Sequence, residues 1–331
     1  MNLQTAVGAH LVVGFAGTAL TPDSIKLLSQ IQPQSLILFS RNVESPTHLC
    51  ELLQQVQGAL GYRVVVMVDH EGGRIIRFGQ GVTRFADAFT AGQAGSESVE
   101  QQGAIEAAEL QRLGVHLNLA PCVDVLVPGA DLVIGDRSYG ADPNRVATLA
   151  VARIRGLQAN GVGACAKHFP GLGAVPKDPH RHLPTIELEW PEIEQVHLVP
   201  FRASIKARVA TVMSSHVCYP GLGEPVHRPA TFSSELIHGV LRSRLGFSGL
   251  ILTDDVEMGA LRHLGTLGEA AVQAVAAGHD LVLVCSDLEQ ARQAAEQLRI
   301  AYEHGRLRLT DLEATQARLS KFKQKFLPDR P

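Results

Sequence analysis

Charged and histidine side chains recur just beyond short apolar runs of this 331-residue sequence. The residues that share this position are Asp69, Arg77, Arg137, Lys167, His168 and Asp254. Carboxylates accept paired hydrogen bonds, and lysine and arginine donate them to hydroxyl or acyl oxygens. Such a set suits a polar substrate of little or no charge that is held by many hydrogen bonds, and sugars are the obvious class.

The Asp254–Asp255 pair follows the apolar run LILT directly. We expect Asp254 to project from the end of a strand, and Asp255 to point away, because successive residues of an extended chain face opposite sides. The alternative interpretation is that the pair only caps the following helix, since aspartate is a favoured cap residue.

Eight apolar runs alternate with segments of helical pattern. Their ranges are 10–17, 35–39, 64–69, 115–121, 163–169, 210–215, 250–255 and 281–285. Most are continuously apolar, which is typical of parallel strands covered on both faces. Because charged groups at the carboxyl ends of parallel strands meet at one edge, the runs also explain how the polar side chains come together.

Helix signals lie between the runs. Thr21, Ser45 and Asp142 each precede a proline, which is the sequence of a capped helix start, and residues 145–161 have helical spacing that ends at Asn160-Gly161. Eight strand–helix units predict an α/β fold, a (β/α)8 TIM barrel of one domain over residues 1–331, with a final covering helix over about 310–326. An open doubly wound sheet is the alternative, but no GxGxxG follows the first strand and GxxxxGK[ST] is absent.

Composition excludes several classes of protein. Hydrophobic residues make up 45% and charged residues 19%, so the chain can bury a large core. The net charge of −3 has no long run of one sign, which predicts neither a nucleic-acid nor a membrane partner. No apolar run approaches the roughly 18 residues of a membrane helix.

The N-terminal sequence and the cysteines predict the compartment. The apolar start has no Lys or Arg before it, so we interpret it as a buried strand rather than a secretory signal. Five cysteines without a CxxC pair favour reduced thiols in a cytoplasmic protein over disulfides or zinc.

Five motifs then occur in one order along the chain: VDHEGGRIIRF, GDRSYG, KHFPGLG followed by DPH, SSH, and TDDVEM. In this order the sequence resembles glycoside hydrolase family 3, over roughly residues 8–290. More narrowly, it resembles the single-domain cytoplasmic β-N-acetylglucosaminidases of bacterial peptidoglycan recycling. Three positions depart from the family pattern: His70 stands where Gln is frequent, Leu172 where His is, and Pro179 where Ser is.

The resemblance implies a retaining exo-enzyme that removes N-acetylglucosamine from GlcNAc-anhydroMurNAc muropeptides. We expect a monomer without cofactor or metal. Asp254 matches the nucleophile, which forms a covalent glycosyl intermediate. His180 matches the acid–base and Asp178 its orienting partner. Pro179 favours an extended Asp178, so the side chains of residues 178 and 180 share a side. The resemblance assigns Asp69, Arg77, Arg137, Lys167 and His168 to substrate binding.

Other interpretations remain open at this point. His180 could be a solvated loop histidine, or with His182 form the HxH element of a metal-dependent barrel hydrolase. A neutral acid–base does not repel an anionic nucleophile such as phosphate, so the enzyme could be a phosphorylase. A β-glucosidase and a non-catalytic sugar-binding barrel are further alternatives.

Several neighbouring residues have structural explanations instead. Arg74 and Arg137 could form salt bridges with Glu71 and Asp136, and Glu71 is interpreted as part of a turn. Asp124 and His216 are weaker site candidates, because both could belong to core hydrogen-bond networks.

Overall fold

The computed structural model describes residues 2–127, 129–130, 133–175 and 183–327. Eight parallel strands form a closed barrel in chain order, and the first strand pairs with the last. The strands are β1 (Leu11–Val13), β2 (Ser35–Leu38), β3 (Val65–Val68), β4 (Leu117–Asn118), β5 (Gly163–Phe169), β6 (Thr211–Ser214), β7 (Leu250–Asp255) and β8 (Leu281–Val284). The predicted (β/α)8 barrel is confirmed, and each strand lies within one of the eight apolar runs.

Helices follow the strands and surround the barrel. The α-helices are α1 (Leu3–Ala6), α2 (Pro22–Ile31), α3 (Pro46–Leu60), α4 (Ala88–Gln93), α5 (Ser96–Arg112), α6 (Pro143–Ala159), α7 (Trp190–Glu192), α8 (Leu198–Lys206), α9 (Leu267–Ala277), α10 (Leu288–Glu303) and α11 (Leu309–Phe326). Within the described ranges, two π-helical segments cover Ile193–His197 and Glu235–Arg244.

The predicted helix boundaries are largely confirmed. Thr21, Ser45 and Asp142 each accept a backbone N–H at the start of a helix whose first residue is proline. Helix α6 ends at Ala159 with Asn160 as its C-cap, as the Asn-Gly pair predicts. Helix α11 matches the covering helix predicted over 310–326.

The N-terminal segment corrects one prediction, because most of it is not a strand. Residues Leu3–Ala6 are α-helical and Val7–His10 form a 3-10 turn, so the strand begins at Leu11. The side chain of Asn2 accepts the backbone N–H of Gln4 and caps the first turn. A Cβ on Gly8 would lie 2.1 Å from the carbonyl oxygen of Gln32. This close approach leaves no room for a side chain at position 8, which an apolar pattern does not reveal.

Helix α11 closes the amino-terminal end of the barrel. Its side chains Leu319, Phe322 and Phe326 belong to the same buried cluster as the inward-facing residues of the strands. A Cβ on Gly163, at the start of β5, would lie 2.8 Å from the Phe322 ring. With this end filled, the barrel presents its cavity at the carboxyl ends of the strands.

A buried carboxylate, Asp280, fastens α11 to the barrel. It accepts the backbone N–H of Ile251 at 2.8 Å, the hydroxyl of Thr315 at 3.0 Å and Nε of Arg318 at 2.7 Å. Arg242 also donates to it. Since Asp280 is fully buried, two cations and two neutral donors stabilise its charge.

The cysteines are free thiols, as predicted: Cys50 is exposed, and Cys122, Cys165, Cys218 and Cys285 are buried. Among the described residues, no helix combines the length and apolar character that a membrane span requires.

Candidate active site

A cavity of about 550 Å³ opens at the carboxyl ends of the strands. Its lining includes six of the predicted site residues: Asp69, Arg77, Arg137, Lys167, His168 and Asp254. The other two, Asp178 and His180, lie outside the described residues, as does His182. The structure therefore brings together the predicted nucleophile and the predicted sugar-binding groups.

Asp254 lies near the end of β7, where its Oδ1 accepts the backbone N–H of Asp255 at 2.8 Å. Burial by itself raises the pKa of this carboxyl. Four neighbours outweigh this effect and bring the pKa of Asp254 below its ordinary value: His168, His216, the backbone N–H of Asp255, and Lys167. Asp254 is therefore an ionised carboxylate facing the cavity, which is the form that a nucleophile requires.

Asp255 was predicted to point away from Asp254, and this prediction is wrong, because both residues line the cavity. The pairing of β7 with β8 explains the difference. Leu252 pairs with Leu281 but Asp255 pairs with Leu283, so the register shifts between them. An extra residue of this kind breaks the alternation of side chains and brings neighbours to one side.

The environment of Asp255 differs from that of Asp254. Its Oδ1 accepts the backbone N–H of Glu257 at 3.0 Å. Burial, with the negative charges of Glu257 and Asp254, raises the pKa of Asp255 from 3.8 to about 7. A carboxyl that is partly protonated near neutral pH can donate a hydrogen bond as well as accept one.

Lys167 is the central cation of the cavity. Its Nζ lies 2.7 Å from Oδ1 of Asp69 and 2.7 Å from Oε1 of Glu71. Burial by itself lowers the pKa of this ammonium, but Asp69 and Glu71 outweigh burial and raise the pKa above its ordinary value. Arg77 lies 3.5 Å from the second oxygen of Asp69. Asp69 is thus held between two cations with its carboxylate at the cavity wall.

Glu71 is the site residue that sequence reasoning missed. It was interpreted as part of a turn, yet Nε and Nη2 of Arg137 each donate to it at 2.8 Å. Arg137 and Lys167 outweigh burial and hold the pKa of Glu71 below its ordinary value. A signal was available, because residues 69 and 71 share a side of an extended chain.

Arg74 and Arg137 each pair with the acid that the sequence analysis had considered for the other. Arg74 pairs with Asp136 at 2.9 Å, and both side chains are about half exposed. Arg137 pairs with Glu71, and both are nearly buried. The sequence could not assign these partners, because Glu71 lies 66 positions before Arg137.

His168 is oriented by Asp124, a fully buried residue. Nδ1 of His168 lies 2.7 Å from Oδ2 of Asp124, whose Oδ1 accepts the backbone N–H of Leu172 at 2.6 Å. Because a carboxylate accepts, Nδ1 carries the hydrogen and Nε2 faces Arg137 at 3.5 Å. Asp124 therefore positions a cavity residue and is more than a core hydrogen-bond partner.

Cys122, Asp124 and His168 together offer three possible metal ligands, with their ligand atoms within 4.8 Å of one another. The same atoms already hydrogen-bond: Cys122 Sγ donates to Asp124 at 3.2 Å. Burial raises the pKa of the Cys122 thiol well above its ordinary value, whereas a metal ligand must be a thiolate. This favours a hydrogen-bonded set that fixes His168.

Two of the three departures from the family pattern fall on described residues. Leu172 lines the cavity and holds Asp124 through its backbone N–H. His70 is buried beside β4, where its backbone N–H donates to Asn118 at 3.0 Å. Neither displaces a predicted site residue; Pro179 lies outside the described residues.

Comparison with known families gives one consistent match. The glycosyl hydrolase family 3 N-terminal domain matches residues 8–322. A curated relative, the β-hexosaminidase of Thioalkalivibrio sulfidiphilus, is 38% identical over 322 residues, which cover 92% of this chain and 91% of the relative.

Solved structures agree with this match. A glycoside hydrolase family 3 β-N-acetylglucosaminidase from Paenibacillus sp. superposes with a TM-score of 0.95 at 36% identity, over 100% of this chain. This chain spans 64% of that longer protein. NagZ from Neisseria gonorrhoeae, in complex with N-trifluoroacetyl-D-glucosamine, superposes with a TM-score of 0.80 at 30% identity, over 95% of this chain and 97% of that one.

Proposed function

Because the chain belongs to glycosyl hydrolase family 3 and is a glycoside hydrolase of the β-hexosaminidase type, we propose that it is a retaining exo-β-N-acetylglucosaminidase. It removes terminal, non-reducing β-linked N-acetylglucosamine. The observation that carries the proposal is Asp254, a carboxylate in the cavity whose pKa lies below its ordinary value because His168, His216 and Lys167 outweigh burial. An ionised carboxylate at this place can attack the anomeric carbon of a bound sugar.

The reaction proceeds by double displacement. Asp254 attacks the anomeric carbon and forms a glycosyl ester as the bond to the leaving oxygen breaks and that oxygen takes a proton. Water then attacks the same carbon, gives up a proton and releases Asp254, which restores the starting configuration. The motif resemblance is the basis for assigning the proton transfers: His180 donates the first proton and accepts the second, and Asp178 orients His180.

The cavity wall supports a neutral sugar as the substrate. Asp69 can accept from adjacent hydroxyls, while Lys167, Arg137 and Arg77 donate to hydroxyl or acyl oxygens. Anions and cations are already paired with one another at the wall, so an uncharged ligand adds hydrogen bonds without adding an unpaired charge.

The natural substrates proposed are muropeptide-derived GlcNAc-anhydroMurNAc fragments in the cytoplasm. The motif resemblance supports this assignment, and the complex of the Neisseria neighbour with N-trifluoroacetyl-D-glucosamine supports the N-acetylglucosamine part of it. Turnover of the purified disaccharide should exceed that of chitobiose if the anhydromuramyl group contributes binding; a clear preference for chitobiose would remove the peptidoglycan assignment.

The nucleophile is tested by trapping. Wild-type enzyme treated with a fluorinated, slowly turned-over N-acetylglucosaminide should carry a glycosyl adduct on Asp254 by peptide mass spectrometry. Asp136→Asn, which changes an exposed acid at the cavity rim, is the matched control and should still form the adduct. An adduct on another residue, or an inverted product anomer by NMR, would overturn the mechanism.

The acid–base is tested by leaving-group dependence. His180→Ala should lose most turnover on substrates with poor leaving groups and much less on aryl glycosides that depart without a proton. His182→Ala is the matched control and should retain both activities. Equal losses on the two substrate types in His180→Ala would assign His180 a structural role.

Substrate and reaction class are decided by three comparisons at neutral pH. We expect nitrophenyl β-N-acetylglucosaminide to be turned over far faster than the plain β-glucoside. Added phosphate should give no sugar 1-phosphate, since that product would identify a phosphorylase. Exhaustive chelation should leave activity unchanged, and a loss restored by zinc would favour the metal-dependent alternative.

A further inference from the structure

Asn118 is the last residue of β4 and is fully buried. Its side-chain oxygen accepts the backbone N–H of His70 at 3.0 Å, and its side-chain nitrogen donates to the backbone carbonyl oxygen of His70 at 2.8 Å. These partners determine the orientation of the amide, because an N–H only donates and a carbonyl oxygen only accepts. One side chain therefore holds both hydrogen-bonding groups of a single backbone residue.

The two bonds replace a part of the strand ladder that the sequence cannot form. Just beyond β4, the backbone N–H of Leu119 donates to the carbonyl oxygen of Val68 at 2.8 Å. In a parallel ladder successive donors along one strand are two residues apart, as are their acceptors, so residue 121 would donate to the carbonyl of His70. That residue is Pro121, which has no N–H. The Asn118 side chain supplies the missing donor.

His70 lies between two carboxylates of the cavity wall. Asp69 precedes it and Glu71 follows it, and an oxygen of each lies 2.7 Å from Nζ of Lys167. Burial lowers the pKa of His70 to about 4, so the ring is neutral, and its Nδ1 accepts the backbone N–H of Arg77 at 3.4 Å. The position of His70 therefore affects the wall residues on both sides of it.

A buried ion pair supports the same loop from behind. Arg153 and Glu106 are 2% and 1% exposed and pair with each other, and Nη2 of Arg153 lies 3.4 Å from the backbone carbonyl oxygen of Glu71. Burial raises the pKa of Glu106 to about 7, against the opposing effects of Arg153 and Asn118. Asn118, Arg153 and Glu106 are not among the described residues that line the cavity. An effect of Asn118 on a bound sugar must therefore pass through the loop that it holds.

We propose that Asn118 is a positioning residue, which places Asp69 for binding of the sugar by holding the backbone of His70. The inference rests on the proposed function, in which Asp69 accepts hydrogen bonds from sugar hydroxyls. Without the Asn118 amide, the N–H and the carbonyl of His70 lose these partners at a buried place, which is costly, and the loop shifts to reach others. Such a shift moves the Asp69 carboxylate away from Lys167 and from the ligand.

The test is a double-mutant cycle on the binding of N-acetylglucosamine to the intact enzyme, measured by isothermal titration calorimetry. Asn118→Leu keeps the approximate size of the side chain but makes neither bond. It should weaken binding about 10-fold, which corresponds to about one hydrogen bond to a charged group. In the Asp69→Asn background the same substitution should weaken binding about twofold or less, because residues that act through one another are not additive. Equal losses in the two backgrounds would overturn the proposal.

Thr315→Val is the matched control. It removes a buried hydrogen bond to Asp280 at the closed end of the barrel, so it should lower the melting temperature and leave sugar binding at the wild-type value. An Asn118→Leu enzyme that melts at a lower temperature but binds the sugar as the wild type does would mean that Asn118 only stabilises the fold. That result would also overturn the positioning role.

A second variant replaces Asn118→Leu if thermal melting shows that it does not fold. Asn118→Ser also loses both bonds, but its smaller side chain leaves room for water beside His70, and the same two losses are expected in the cycle. A wild type that binds no N-acetylglucosamine would overturn the proposed function itself. Equal losses in an enzyme that does bind this sugar overturn only the role of Asn118.

Discussion

Replacing Asp255 with asparagine is expected to stabilise the fold at neutral and alkaline pH while lowering activity. Burial raises the pKa of this carboxyl from 3.8 to about 7, so the folded protein resists its ionisation. Asparagine has nearly the same shape, and its carbonyl oxygen can still accept the backbone N–H of Glu257. The substitution therefore removes a buried charge without removing the hydrogen bond.

The magnitude follows from proton linkage. Between pH 3.8 and about 7 the folded state binds the Asp255 proton and the unfolded state has lost it, so the free energy of unfolding falls as pH rises. At about 1.4 kcal/mol per pKa unit, the full destabilisation is about 4 kcal/mol above pH 7. At about pH 5.5 roughly 2 kcal/mol of it is present. Asp255→Asn should therefore gain about 4 kcal/mol near pH 8 and about half of that near pH 5.5.

Urea denaturation of both proteins at the two pH values tests this difference. Glu187→Gln changes the charge of an exposed acid in the same way and should show no pH-dependent gain. A gain for Asp255→Asn that is equal at both pH values, or a loss at both, would refute the reasoning. A lower kcat/KM in the stabilised variant would show that the buried acid is retained for activity at a cost in stability.

Three further substitutions have expected outcomes. Asp280→Ala should lower the free energy of unfolding by about 3–5 kcal/mol in urea, because it leaves the partly buried Arg242 and Arg318 and the buried N–H of Ile251 without their carboxylate, while KM of the folded enzyme stays the same. Phe322→Ala should cost about 3–5 kcal/mol by opening a cavity at the closed end of the barrel, measured in the same way. Asp124→Ala should lower kcat/KM about 100-fold because His168 loses its orientation, with a smaller change in melting temperature than in Asp280→Ala. Full activity in Asp124→Ala would contradict the positioning role.

The barrel was predictable because its signal is repeated. Continuous apolar runs alternated with segments of helical pattern eight times, so strands that are up to five residues shorter than their runs did not change the topology. The prediction of a strand for the N-terminal segment was wrong because an apolar sequence fits a buried turn as well as a buried strand. A pattern of side chains carries no information about backbone contacts such as the close approach of Gly8 to Gln32.

The candidate site was predictable in its members but not in its pairings. Strand ends place Asp69, Lys167 and Asp254 at one edge by topology alone. The partners of Arg74 and Arg137, and the inward turn of Asp255, depend on loop lengths and on one register shift. Such details are set by tertiary packing, where one extra residue reverses the side that a side chain faces.

Glu71 explains how the cavity can hold several cations and still suit a neutral sugar. Lys167 and Arg137 are both nearly buried, and each would be costly there without a counterion. Glu71 lies against both at once, so its carboxylate, together with that of Asp69 beside Lys167, offsets the two cations and leaves Asp254 to face the ligand. If Glu71 were neutral, Arg137 and Lys167 would draw an anion into the cavity in place of an uncharged sugar. Glu71→Gln should accordingly weaken hydrolysis of the neutral glycoside and make inorganic phosphate an inhibitor. A variant that phosphate inhibits no more than the wild type would show that the cations are not balanced by Glu71.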